Sequence, residues 1–275
     1  MFQGLCLYLG QARVDPREID YVSMIRLRDR LLSSTTLRLI KLPIQRSLRQ
    51  IGYELVPISI VHSEFLNRLI VRHSIDLLVD VGANQGQFAQ KFRDSGFEGA
   101  MCSFEPLSSA FHLLKRAAAS DARWTVVRTA LGEMSGEAEL NVSANAVSSS
   151  LLTITETHLR AEGTSSTTRR EPVPVTTLDF QLAKTPGEAL WLKLDVQGYE
   201  HQVLLGASKT LRRTAVIQCE ISFRELYIGQ ATYINLLNFL DDLGFVPVSV
   251  VPGFTDPLTG EALQCDLLLV RKGKN

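Results

Sequence analysis

Val79-Asp80-Val81-Gly82-Ala83-Asn84-Gln85-Gly86, followed by Phe104-Glu105-Pro106, decides how this 275-residue chain is read. The apolar run Leu77–Val81 reads as a buried strand. It enters a glycine-spaced turn and then a helical pattern, Gly86–Ser95, which Gly96 ends. Ala100–Phe104 reads as a second strand, Ser108–Ala119 as a helix and Thr125–Ala130 as a third strand. Leu190–Asp195 and Ala215–Glu220 are again apolar runs, separated by one helix from about Glu200 to Lys209. Tyr233–Leu243 reads as a helix, then Phe245–Val250 and Gln264–Val270 as strands with no helix between them. Strands alternating with helices of ten to twelve residues imply βαβ units and a mainly parallel sheet. The helix-free final connection makes the last strand return antiparallel. Glu137–Val142 and Val173–Thr176 look like extra strands flanking the Ser/Thr-rich segment Ser143–Arg170.

The opening turn sits where open α/β sheets bind ligands. Gly82 and Gly86 let the backbone approach a ligand and tolerate positive φ. Asp80 ends the strand and can accept from an ammonium group, while the helix starting near Gly86 offers free N–H groups to a carboxylate. Both ends of an amino-acid moiety are addressed, which suits the methionine part of S-adenosylmethionine. Glu105, 19 residues beyond Gly86, stands where an acid binds both ribose hydroxyls, and Pro106 stops the strand. A nicotinamide fingerprint starting at Gly82 needs glycine at positions 84 and 87. Asn84 and Gln87 occupy them, which disfavours a dehydrogenase.

The ordered set of stretches resembles the FkbM family of methyltransferases over roughly residues 75 to 225. It comprises Asp80-Val81-Gly82-Ala83-Asn84-x-Gly86-x-Phe88, Phe104-Glu105-Pro106, Ala130-Leu131-Gly132 and Ser149-Ser150-Leu151. It continues with Leu192-Lys193-Leu194-Asp195-Val196-Gln197-Gly198-Tyr199-Glu200, then Val203-Leu204-x-Gly206-Ala207 and the strand-ending Glu220. The resemblance implies a class I Rossmann-like fold: a mainly parallel seven-stranded sheet with an antiparallel last strand. It implies S-adenosylmethionine as methyl donor and, usually, O-methylation of a sugar hydroxyl in a glycolipid or polysaccharide, or of a polyketide natural product. Asp80, Gly82, Asn84 and Gly86 would then surround the methionine part, Glu105 would hold the ribose and Ala130-Leu131 would lie near the adenine, with Ala83, Phe88 and Pro106 also at the cofactor. N- or C-methylation of a small metabolite, or a catalytically silent S-adenosylmethionine-binding module, stays open beside this reading.

A sugar hydroxyl is weakly acidic and gains from a general base. Asp195 leads as base or orienting group, with a turn-capping role as its alternative. Glu220 ends the next strand, and His201 has base chemistry although it lies inside a helical pattern. Asp195, Glu220 and a third ligand could hold Mg²⁺ through oxygen, but no spacing requires it, and no metal is expected. Ser149 and Ser150, in a segment long enough to be a lid, and Tyr199 are candidates for substrate contact. Arg169, Arg170 and Glu171 are expected in solvent.

The chain is 45% hydrophobic and 21% charged with zero net charge, as in soluble globular proteins, and lacks the charge and aromatic platform of an RNA binder. The neutrality is uneven. Tyr21–Gln50 carries Arg26, Arg28, Arg30, Arg38, Lys41, Arg46 and Arg49 against Asp29, net +6, which leaves the remainder at −6. Residues 1–58 are read as a basic helical extension and 59–275 as the methyltransferase domain. Residues 1 to about 20 have no clear period and are expected to be poorly ordered. Met24 opens a segment of ordinary composition, so the first 23 residues are a candidate for an upstream start. The basic segment can pack on the domain, lie on an anionic membrane face or mediate a homodimer. Met1–Gly10 lacks a basic n-region and a cleavage site, and no apolar stretch approaches a membrane span. Cys6, Cys102, Cys219 and Cys265 show no C-x-x-C spacing, which fits a reducing cytoplasm, with peripheral contact at the inner membrane face as an option.

Overall fold

The computed structural model describes residues 58–273. The basic segment 21–50 and Cys6 lie outside the described residues. The chain divides into two compact units, Met1–Val61 and His62–Asn275, and the second carries the sheets.

A helix, α1 (Ile58–Arg72), leads into β1 (Leu77–Val81), α2 (Gln87–Asp94), β2 (Ala100–Phe104), α3 (Ser108–Ala118) and β3 (Trp124–Val127). After an excursion described below come β7 (Leu190–Leu194), α6 (Glu200–Leu205), α7 (Ser208–Arg212) and β8 (Thr214–Ser222). The chain ends with α8 (Tyr233–Asp242), β9 (Phe245–Pro252) and β10 (Gln264–Arg271). The seven strands lie in the order β3-β2-β1-β7-β8-β10-β9. Pairing is parallel from β3 to β8, and β10 inserts antiparallel to both its neighbours. This is the sheet expected of a class I methyltransferase. Strand order reverses between β1 and β7, so the crevice beyond their carboxyl ends is the topological switch point.

β1 and β7 are buried at every position because helices cover both faces, which is why each reads as an unbroken apolar run. Leu77, Val79, Val81, Leu190, Leu192 and Leu194 pack on one face with Leu236 and Leu240 of α8. Leu78, Met101, Trp191 and Val216 pack on the other with Leu66, Leu69 and Phe92. Cys102, Cys219 and Cys265 are buried free thiols, as small hydrophobes in strands should be.

The excursion comprises β4 (Ala130–Leu131), β5 (Gly136–Ser143), α4 (Glu156–Ala161), a 3₁₀ turn (Gly163–Ser165), β6 (Thr167–Thr176) and α5 (Leu178–Gln181). β4, β6 and β5 form a second, three-stranded sheet in that order. Three expectations are corrected here. The single strand Thr125–Ala130 is two strands in different sheets, with Arg128 and Thr129 crossing between them. The single helix from Glu200 is broken at Gly206-Ala207, where Gly206 lies so close to Gly132 that a Cβ would stand 2.1 Å from the Gly132 carbonyl oxygen. Glu171 is buried, accepting from the Ser108 N–H at 2.9 Å, from Arg128 at 3.0 Å and from Arg169 at 2.7 Å. Burial opposes its ionised form, but those donors outweigh it and hold the carboxyl down to about 2.

Candidate functional site

The turn after β1 is built from left-handed residues: Gly82 at φ 77°, Asn84 at 50° and Gly86 at 89°. Its amides are largely spent inside the protein. Gly82 and Ala83 donate to the Phe104 carbonyl, and Gly86 to that of Ala83. Glu105 accepts from the Asn84 N–H and the Leu107 N–H, each at 2.8 Å, which ties the ends of β1 and β2 together. Burial pushes its carboxyl up to about 7 against those two donors. The glycines serve the protein's own packing. A Cβ on Gly82 would meet the Asp195 carbonyl oxygen at 1.8 Å, and one on Gly86 would meet Trp124 at 2.8 Å. Their smallness therefore lets β1's turn close on β7's and on Trp124, where the sequence suggested approach of a ligand.

Asp80 lies deeper than expected. It is fully buried, and neither carboxylate oxygen has a hydrogen bond. The Lys193 ammonium stands 3.6 Å from one of them. Burial raises the Asp80 pKa, with Lys193 pulling the other way. Lys193 also donates to Asp195 at 3.1 Å and lies 5.3 Å from the centroid of the Phe88 ring. Asp80 is thus the buried counter-ion of Lys193 under the turn.

Asp195 and Glu220 meet at the carboxyl ends of β7 and β8. The Gln197 amide nitrogen donates to Asp195 at 2.8 Å and to Glu220 at 2.9 Å. Burial opposes ionisation of Asp195, but Lys193 and Gln197 outweigh it and hold its carboxyl below the usual range. Burial, then the charges of Asp195, Glu200 and Asp266, push Glu220 well above its ordinary value. Two neighbouring acids driven apart in this way are the usual mark of divided roles.

The other expected residues divide. Ser150 is brought to this cluster: its hydroxyl donates to the Gln197 carbonyl at 2.7 Å. Ser149 turns inward to its own loop, donating to the Ala146 carbonyl at 2.7 Å. Tyr199 lies against Gly132, at the end of β4. Ala130 and Leu131 are buried in β4, paired with Val175 and Thr176. The Pro106 carbonyl takes a long 3.4 Å bond from Arg128. His201 is not brought to the carboxylates: its ring packs edge-on against Phe239 of α8, centroids 5.1 Å apart. A histidine inside a helical pattern has here taken the packing role.

The sequence reading gives Lys193, Gln197 and Glu200 no role beyond their place in the family motif, and it misses Tyr227. The Tyr227 hydroxyl donates to the Gln197 side-chain carbonyl at 2.6 Å. Glu200 caps the turn, accepting from Val196 N–H at 3.0 Å and Gly198 N–H at 3.3 Å. A signal for Lys193 was present: a lysine among five otherwise apolar strand residues, Leu190–Leu194, is buried only if paired.

The residues fit S-adenosylmethionine. α2 begins at Gln87, and Gly86 before it supplies no side-chain cap, so its first-turn N–H groups remain for an anion. Glu105 keeps lone pairs for ribose hydroxyls, and the neighbouring acids favour a sulfonium.

Of solved structures, the chain resembles an rRNA methylase from Streptococcus thermophilus at 12% identity and a TM-score of 0.43, over 78% of this chain and 95% of that one. It also resembles magnesium protoporphyrin IX methyltransferase from Synechocystis PCC 6803 with bound SAM, at 12% identity and a TM-score of 0.40, over 90% and 96%. No curated protein sequence matches the chain. The family model for the methyltransferase FkbM domain matches residues 80–247, more than half of the chain, which therefore belongs to the FkbM family of S-adenosylmethionine-dependent methyltransferases.

Proposed function

We propose that this methyltransferase acts on oxygen, methylating a hydroxyl of a sugar in a glycolipid or polysaccharide, or of a polyketide-type natural product. The observation that carries the reading is the Asp195–Gln197–Glu220 cluster beside the cofactor turn. The bound cofactor supplies a methyl group activated on a sulfonium. Methylation of a hydroxyl leaves a proton to be removed, and a carboxylate of raised pKa is a better acceptor for it than an ordinary one. Glu220 is our assignment for that base. Asp195, held ionised by Lys193, orients the acceptor hydroxyl. Amine methylation would place less demand on such a base.

The test is incubation with labelled S-adenosylmethionine and a glycolipid or polysaccharide extract, followed by identification of the product. A methyl ether is expected, and label on nitrogen or carbon would overturn the O-methyl reading. Glu220→Gln should lower kcat by a factor of about 100 or more. Wild-type rates should rise with pH through a value above the normal carboxylate range, and that rise should be lost in Glu220→Gln. Full activity of the variant would remove Glu220 as base.

A further inference from the structure

We propose that Gln197 is a positioning residue: it fixes the relative orientation of Asp195 and Glu220 and makes that orientation depend on the seating of the Ser/Thr-rich segment between β5 and β6. This rests on the proposed reading of the two carboxylates as the acceptor-facing groups.

Every polar group of the Gln197 side chain is used. Its two amide N–H donors match the two carboxylates, at 2.8 and 2.9 Å. Its carbonyl oxygen takes the Tyr227 hydroxyl at 2.6 Å. The opposite amide orientation would face a carbonyl oxygen toward two carboxylates and leave Tyr227 facing an NH₂, so the network fixes the assignment. An amide neither gives nor takes a proton near neutral pH. Its contribution is therefore geometric.

The backbone supports the same conclusion. Gln197 sits at φ 55°, a left-handed conformation uncommon for glutamine. Three contacts from outside the residue hold it there. Ser150 Oγ donates to the Gln197 carbonyl at 2.7 Å. Glu200 accepts from the N–H groups on either side, those of Val196 and Gly198. Gly198, at φ 93°, lets the Tyr227 ring lie so close that a Cβ would stand 3.0 Å from it. Ser150 belongs to the Ser/Thr-rich segment, and the Tyr227 hydroxyl reaches the same segment at the Ser148 carbonyl, 3.3 Å away. A bridge with Ile154 joins that segment to Tyr227 again through the backbone. Displacing the segment therefore removes the Gln197 carbonyl anchor and disturbs the tyrosine that orients its amide. Both carboxylates lose a fixed donor together.

Gln197→Asn tests this on the full chain. Asparagine adopts the left-handed region more readily than glutamine, so the turn is retained, but the amide is one carbon too short to bridge. Carboxyl carbons are followed by ¹³C NMR across pH, with Glu220 and Asp195 assigned from the signals lost in Glu220→Gln and Asp195→Asn. Both midpoints should move upward in Gln197→Asn by about one pH unit or more, since each ionised carboxylate loses a donor. Ser150→Ala removes the segment's bond to the Gln197 carbonyl, which asparagine at 197 would keep, and should move both midpoints in the same direction. Superimposable titrations in a folded variant overturn the proposal, because a purely structural turn residue would give that result. Should Gln197→Asn fail to fold, Tyr227→Phe takes its place, with upward shifts of the same sign expected and unchanged titrations overturning the idea. Calorimetry of the wild type with S-adenosylhomocysteine reads the cofactor assignment separately. Binding with unchanged titrations defeats the clamp alone, whereas absence of binding defeats the site reading whatever the carboxylates do.

Discussion

Lys193 stands between two acids and below an aromatic ring, in a strand where every other residue is apolar. Replacing it with methionine conserves most of its volume and strands Asp80, which has no exposure and no hydrogen bond. Breaking a buried pair from one side costs about 3–5 kcal/mol, because an uncompensated charge remains. Asp80 already has a raised pKa and can take up a proton, so the lower end of that range applies. Lys193→Met should therefore lose about 3 kcal/mol in urea denaturation at pH 7, and Asp80→Asn with Lys193→Met should recover most of it. Equal stability of wild type and single variant would show that Asp80 is neutral in the native protein. At this scale the sequence conveyed residue identity and missed depth. The sequence pattern marks Asp80 as an acceptor for an ammonium, and in the structure the chain's own Lys193 ammonium stands 3.6 Å from it.

At the scale of elements, legibility followed burial. β1 and β2 have the ends that their apolar runs suggest, because a strand covered on both faces keeps its pattern to the last residue. Elements defined by contacts distant in sequence were not legible. No local period distinguishes Trp124–Val127 from Ala130–Leu131, since what separates them is pairing with β2 in one case and β6 in the other. Likewise, Glu200–Arg212 has helical spacing throughout, and its break falls at Gly206, which packs on the Gly132 carbonyl, a contact distant in sequence. Gly206 has φ −80°, so alanine there is free of backbone strain, and only the clash with the Gly132 carbonyl opposes it. Gly206→Ala should cost about 3 kcal/mol, at the upper end of overpacking penalties. Gly136→Ala, where a Cβ meets nothing within 4 Å, should stay within about 0.5 kcal/mol of wild type. Equal thermal midpoints for the two variants would mean that the α6–α7 junction yields to the added methyl group.

Over the whole molecule, the carboxyl ends of the central strands gather acids that burial makes hard to ionise. Asp80 follows this rule in β1, Glu105 after β2, Glu220 in β8 and Glu200 beside them. A neutral total charge gave no hint of this concentration, which suits a site meant for a positively charged sulfonium. It also gives the ligand-free protein a characteristic dependence on pH. Glu200 has an ordinary value near 4.5 when unfolded and is pushed up to about 7 when folded, first by burial. Between those values the native state holds a proton that the unfolded state has released, so stability falls as pH rises. The contribution is fully present below about 4.5 and is lost as pH passes through about 7. Glu200→Gln keeps the acceptor for Val196 and Gly198 but carries no charge at any pH. Buried His158, whose pKa is lowered by burial, works in the opposite sense in both proteins and cancels in the comparison. The stability of Glu200→Gln relative to wild type should therefore rise between pH 4.5 and pH 8, by on the order of 3 kcal/mol in urea denaturation. A difference between the two proteins that is flat across that range would mean that Glu200 is ionised at its ordinary value in the native state, and that the buried acids carry no stored charge cost for a cationic cofactor to relieve.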